Sequence, residues 1–309
     1  MEKAPAVTSV TQIAVKSRQS AWKRFLYNEV TAYLFLLPFL IPFALLVLAP
    51  AIFGVVISFF RWSITGTPQL IGLENYGKLF QDYLFLDSVK NTLRFMVLAV
   101  PLLVVLSLAL AILLNQRLAG KSIARTLVVA PRVLMVSAVG IIWGWMYNAS
   151  FGLLNYYLIQ IGLKPVSWLS EADWAMPAIV ITTVWWTINT NVIIYLAGLQ
   201  DIPPDMYEAG KIDGASAWQL FWYVTLPSLR PLNAFVIPMS VIASSRVFGQ
   251  IYTMTAGGPV GKTFVIMYYI YTQAFQNFRM GLASAAAVLL TIASIALTLV
   301  QLRAIQGKG

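Results

Sequence analysis

Long apolar runs alternate with short polar stretches along this chain. A helix that crosses a bilayer needs roughly 20 mostly apolar residues. Six segments have that length and character: about residues 31–60, 91–115, 126–148, 175–199, 229–256 and 280–302. The pattern predicts an all-α integral membrane protein with six transmembrane helices. It divides the chain into a basic segment 1–30, a transmembrane domain 31–302 and a tail 303–309. Pro38, Pro42 and Pro50 fall in the first run, which is long enough to tilt or kink, and proline is tolerated in membrane helices. That run is far longer than the core of a cleavable signal peptide, and no small-residue cleavage site stands where one would follow.

Composition supports the membrane assignment and removes several chemistries. Charged residues make up 10% of the chain, against about 25% in soluble domains. There is no cysteine and no histidine, so disulfides, thiolate metal sites and the commonest general base are all missing. The net charge of +10 is explained by where it sits. Lys3, Lys16, Arg18, Lys23 and Arg24 lead the chain. Arg117, Lys121 and Arg125 follow the second run, Lys211 and Arg230 flank the fourth connection, and Arg303 and Lys308 close the tail. All of these fall on one side of a six-span chain. The opposite loops carry Glu74, Asp82, Asp87, Glu171 and Asp173 with fewer basic residues. Basic loops stay inside, so both termini are expected in the cytoplasm. The charge is then an orientation signal against membrane lipid, with no nucleic-acid partner. The outside segments 61–90, 149–174 and 257–279 are too short for separate domains, and Asn75 and Tyr76 read as part of a turn-rich outside loop.

The connection between the fourth and fifth runs has unusual content. From Pro204 it reads as a helix start, with Asp205 near the positive end of the helix dipole. Glu208, Ala209 and Gly210 offer one acid and two small residues. Asp213-Gly214 is a turn signal, in which glycine takes a positive φ. Ala217 to Val224 reads as an amphipathic helix with Trp218, Phe221 and Trp222, and Pro227 and Pro231 bracket the next run. By residue type alone, an interfacial helix at headgroup level and a docking surface fit equally well.

The spacing here resembles the EAA motif of binding-protein-dependent ABC importer permeases: Glu208-Ala209-Gly210, then Gly214, then Val224-Thr225-Leu226-Pro227. Gly210 stands where the family has a second alanine, and Val224 where it has isoleucine. Further stretches resemble sugar-importer permeases: Gly72-Leu73-Glu74-Asn75-Tyr76, Trp168-Leu169, Leu196 to Pro203, Thr255 to Pro259, Ile270-Tyr271, Ala274-Phe275 and Gly281. The likeness is closer to the first permease subunit of maltose and glycerol-phosphate type systems. It implies a second homologous permease, a cytoplasmic ATPase dimer and an extracytoplasmic solute-binding protein. ATP and Mg would be held by the partner ATPase, with no cofactor in this chain. Glu208, Ala209, Gly210, Asp213, Gly214, Leu226 and Pro227 would form the ATPase-coupling element. The implied function is one half of an alternating-access path for a sugar or oligosaccharide.

Other readings are weaker. Ala256-Gly-Gly-Pro-Val-Gly-Lys-Thr263 fits a relaxed P-loop, but that motif needs a preceding strand and a following helix. Here it follows a membrane run. An integral membrane enzyme wants paired carboxylates, a metal or histidine, and no carboxylate lies inside a run. A secondary transporter typically needs an ionisable relay in the membrane.

Polar residues inside the runs mark a candidate substrate path. Thr183, Thr187, Thr190 and Asn191 recur on one helix face, with Trp186 beside them, and Ser240 and Ser244 lie one turn apart in the next run. Such groups suit sugar hydroxyls, and they also serve as interhelical hydrogen bonds in membrane bundles. Arg132 and Arg246 are the charges that bear on specificity: facing a cavity, either would favour an anionic glycan or sugar phosphate.

Overall fold

The computed structural model describes residues 33–63, 66–116 and 120–306. The basic leader 1–30 with its five cations, Arg117 and Lys308 lie outside the described residues. Contacts divide the chain into two units, the first ending at Val56 and the second beginning at Ile57.

The first unit holds most of helix α1 (Tyr33–Ile57), which is long and apolar enough to cross a membrane. It widens into a π-turn at Ala44–Leu48. This turn lies between Pro42 and Pro50, where the Pro50 ring lacks an N–H to continue the regular ladder. Phe39 and Phe43, one turn apart, stack at 5.7 Å.

The second unit opens with a two-residue antiparallel pair, β1 (Phe60–Arg61) with β2 (Gln69–Leu70). Helices follow: α2 (Glu74–Gln81), α3 (Tyr83–Asn115), α4 (Lys121–Val133), α5 (Val136–Met146), α6 (Leu153–Gln160) and α7 (Ala172–Gln200). Then come α8 (Pro204–Ile212) and α9, which starts at Ala217–Leu220, passes through a π-turn at Phe221–Thr225 and ends with Leu226–Ser228. Last are α10 (Arg230–Ser245), α11 (Gly249–Met254), α12 (Ile266–Tyr271) with a π-turn at Thr272–Gln276, and α13 (Met280–Gln306).

Helices α1, α3, α7, α10 with α11, and α13 have the length and hydropathy of membrane spans. The segment read as a third span, 126–148, is bent by 106° between α4 and α5. With that bent pair counted as one span, the total is six. The second span starts earlier than its apolar run, at Tyr83, because Asp82 caps the helix by accepting from the Leu84 N–H. Asn75 and Tyr76 lie in helix α2, not in an irregular loop as the turn-rich sequence suggests. Buried Asn75 donates to the carbonyls of Ser58 and Phe60 at 2.8 and 2.9 Å. Tyr76 OH bonds Ser58 Oγ at 2.7 Å.

The core lies between α3 and α7. Phe95, Ala99, Leu103, Ala111 and Leu114 form a stripe along α3 that meets Met176, Ile179, Val184, Ile188 and Val192 of α7. In lipid, apolar burial gives little drive for helices to associate, so close packing and interhelical hydrogen bonds hold them. Small residues make that possible: Ala99 and Ala111 are fully buried in the α3 stripe. Helices α7 and α10 are clasped twice, by Tyr195 OH donating to Asn233 Oδ1 at 2.7 Å and by Asn191 Nδ2 donating to Ser240 Oγ at 3.0 Å. Between these clasps and the end of α7, Gly198 lies so close to α10 that a Cβ would overlap the Leu232 side chain.

Candidate functional site

Two regions gather the residues singled out from sequence: the connector formed by α8 and α9, and a largely apolar cavity with a few polar side chains among α3, α5, α7, α10 and α11.

In the connector, α8 starts with Pro204 at its first position, and Asp205 lies in its first turn. Both suit a helix start, since proline has no N–H to leave unpaired and the acid faces the dipole. The helix ends at Asp213-Gly214, and Gly214 takes φ +77° with open space around it. The Ala215 N–H then returns to the Gly210 carbonyl at 2.9 Å. Ser216 begins α9 with a capping box: the Gln219 N–H reaches Ser216 Oγ, and Gln219 Oε1 accepts from the Ser216 N–H at 2.7 Å. Tyr207 OH meets Thr225 Oγ1 at 3.0 Å and ties the two helices. Leu226 and Pro227 follow the π-turn at half-buried positions. Neither the capping box nor the tyrosine clasp was read from sequence, although Ser216-x-x-Gln219 carries the signature of the first.

The three motif residues have different surroundings. Glu208 and Ala209 are exposed, as are Asp213 and Gly214. Gly210 is half-buried, and a Cβ on it would come within 2.6 Å of Leu220 Cδ2. Its small size serves the contact with α9. The exposed end of the connector also carries Ile212, 86% exposed, with Trp218 and Tyr223 outward on α9.

The cavity has a volume of about 350 Å³, and its walls include Val136, Thr183, Trp186, Thr187, Ser244, Arg246 and Gln250. Two breaks in long helices meet there. One is the bend between α4 and α5, where the Leu134 carbonyl, released from the helical ladder, accepts from Trp186 Nε1 at 3.1 Å. The other is the interruption from Arg246 to Phe248 between α10 and α11. Helix α11 crosses α5 at two glycines. A Cβ on Gly249 would lie 2.5 Å from Val136 Cγ2, and one on Gly140 would overlap Thr253 Oγ1. Irregular backbone at membrane depth is tolerated where it lines a cavity or is buried in protein.

The predicted polar face divides. Thr183 and Thr187 line the cavity, with hydroxyls donating to the Ile179 and Thr183 carbonyls at 2.8 and 2.7 Å. Asn191 and Ser240 are spent on each other, the interhelical role such residues also fill, and they do not line the cavity. Thr190 is exposed and donates to Asn189 Oδ1. Trp186 lines the cavity, and the Arg132 guanidinium lies 5.6 Å from its ring centroid. Arg132 is exposed in the 3-10 turn that ends α4. Arg246 lines the cavity at the break after α10. Gln250 was missed. It is only 5% exposed, and its side-chain amide makes no hydrogen bond to the described residues.

The P-loop-like stretch has the wrong setting. Helix α11 precedes it, where a P-loop needs a strand. The Thr263 hydroxyl is engaged with the Gly258 carbonyl and Thr255 Oγ1. Among the described residues no group of three or more acidic, histidine or cysteine side chains is placed to hold a metal ion.

Known proteins agree with this architecture. Residues 84–306 match the binding-protein-dependent transport system inner membrane component family. The chain is 36% identical over 283 residues to the trehalose/maltose transport system permease protein MalF of Thermococcus litoralis, covering 90% of this chain and 94% of that one. It is 33% identical over 303 residues to the sulfoquinovosyl glycerol transport system permease protein SmoG of Agrobacterium fabrum, covering 96% and 98%. Among solved structures, a chain of a bacterial alginate ABC transporter in complex with an alginate pentasaccharide-bound periplasmic protein superposes with TM-score 0.78. Identity there is 25%, covering 90% of this chain and 94% of that one. With its several membrane helices and a family match over most of its length, the chain belongs to the inner membrane components of binding-protein-dependent transport systems, the permease subunits of ABC importers.

Proposed function

We propose that this chain forms one half of the translocation path of an ATP-driven importer for a sugar or oligosaccharide. The observation that carries the reading is the meeting of two helix breaks at one cavity with a few polar side chains. Broken membrane helices are a recurrent way to build a transport site, because unwound backbone can be tolerated only where it faces water, substrate or protein. Thr183, Trp186, Thr187 and Ser244 supply hydroxyls and an aromatic face, the chemistry that suits a sugar ring. Relatives named for trehalose/maltose and for sulfoquinovosyl glycerol support a carbohydrate cargo.

The connector supplies coupling. Both termini and the connector lie in the cytoplasm by the charge rule, so α8 faces an ATPase dimer that binds ATP and Mg. Glu208, Ala209, Asp213 and Gly214 form the exposed contact. Gly210 and Leu220 fix the angle between α8 and α9, and Leu226 and Pro227 carry the motion into α10. A second homologous permease closes the path, and an extracytoplasmic binding protein delivers the cargo.

Gly214→Asp tests the coupling role in the reconstituted importer. Loss of ATPase co-purification, or of hydrolysis stimulated by loaded binding protein, is the expected result. Normal assembly together with normal stimulation would refute it.

A further inference from the structure

The cavity contains donors that no group among the described residues uses. Gln250 is 95% buried by its 5% exposure, yet its amide has no partner among the described residues. An amide that reaches a cavity wall unengaged can both donate to and accept from a solute there. Ser244, 3% exposed, also keeps a hydroxyl without a partner among the described residues at the same wall. Arg246 brings a guanidinium to this wall, and none of the described ion pairs includes it. No carboxylate lines the cavity. Arg132, outside the cavity lining, adds a second positive charge 5.6 Å from the Trp186 ring centroid.

Thr183 and Thr187 have already given their protons to backbone carbonyls. They are therefore left as acceptors, which fit the hydroxyls of a sugar ring. The unengaged donors among the described residues at this wall are Arg246, Gln250 and the Ser244 hydroxyl. A cargo that satisfies both sets carries hydroxyls on one side and an acidic group on the other.

We infer that the cavity is an acidic-glycan site, in which Arg246 and the Gln250 amide bind the carboxylate, sulfonate or phosphate of a sugar. This rests on the proposal that the cavity lies on the translocation path. The planar guanidinium pairs with an oxyanion through two parallel hydrogen bonds, and the Gln250 amide adds a third. Helix α11 positions Gln250 because Gly249 lets that helix press against Val136. Specificity for charge is then set by this subunit as well as by the binding protein.

The absence of cysteine permits a test that needs no known cargo. Thr187→Cys is introduced into the membrane-embedded importer, with any cysteines of the other chains removed. Its rate of modification is measured with three methanethiosulfonate reagents of similar size: a sulfonate, a neutral alcohol and an ammonium. Each rate is divided by that for free mercaptoethanol. The expected result is at least a tenfold preference for the sulfonate over the ammonium, falling to threefold or less in Thr187→Cys/Arg246→Gln. Gln250→Leu should lower the sulfonate rate while leaving the neutral reagent within twofold. Equal normalised rates for all three reagents would overturn the acidic-site inference and leave the path intact. No labelling by any reagent, in resting or ATP-trapped importer, would instead remove the cavity from the path. A sulfonate preference unchanged by Arg246→Gln would deny Arg246 its role.

Discussion

The connector and the cavity are built on opposite plans. The connector is continuous in sequence: Pro204, Gly210, Gly214, Ser216 and Leu220 lie within 17 positions, and the clasp from Tyr207 to Thr225 spans 18. The cavity draws on five helices between Phe95 and Gln250, and two interruptions in long helices border it. The first plan suits a surface that must be presented in one shape to a partner. The second suits a space that must change shape, because helix ends that stop at a break can shift without unravelling a span.

This contrast yields graded expectations. Gly140→Val should have the largest effect, since Thr253 Oγ1 already occupies the space of an added side chain. Overpacking of this kind costs about 3 kcal/mol. It should appear as a clear drop in the thermal midpoint of the detergent-solubilised importer and as loss of uptake. An unchanged midpoint would mean that the crossing of α11 over α5 is not tight. Gly210→Ala comes next, at about 1–2 kcal/mol, because the group it meets is the flexible end of Leu220. Coupling between ATP hydrolysis and uptake should weaken, and Leu220→Val in the same chain should restore it. Failure of that rescue would locate the effect at the ATPase contact instead. Ser216→Ala should be the mildest, about 1 kcal/mol for a lost N-cap. Its signature is faster amide exchange over Ala217–Leu220 with the cavity unaffected. Equal exchange in both proteins would deny the capping box a role in holding α9.

Much of this was legible in the sequence because it is local. Apolar run length gave the spans, and Asp213-Gly214 gave the turn that a positive φ at Gly214 completes. The 106° bend was not legible. Leu134 and Met135 are ordinary apolar residues in an apolar run, and the nearest breaker is Pro131, buried in the preceding 3-10 turn. Gln250 escaped for a related reason. On an unbroken helix it would lie six residues past Ser244, about 120° around the axis, away from the predicted face. The interruption from Arg246 to Phe248 re-aims the chain and brings Gln250 to the same wall. The sequence signal was present but unread: an arginine and a glycine close together inside a membrane run. Asn191 and Ser240 show the converse. They fit the periodicity of the path residues, yet their hydrogen bond to each other uses them in the scaffold.

The crossing of α5 and α11 also governs how the molecule changes shape. With Gly140 against Thr253 and Gly249 against Val136, the two short helices have no slack to slide by a turn. Packed this way, they form one wedge. The joints of that wedge are the extended link at Leu134–Met135 and the three residues Arg246–Phe248. Arg246 sits on one of these joints, so a tilt of the wedge would turn the backbone of an arginine that lines the cavity.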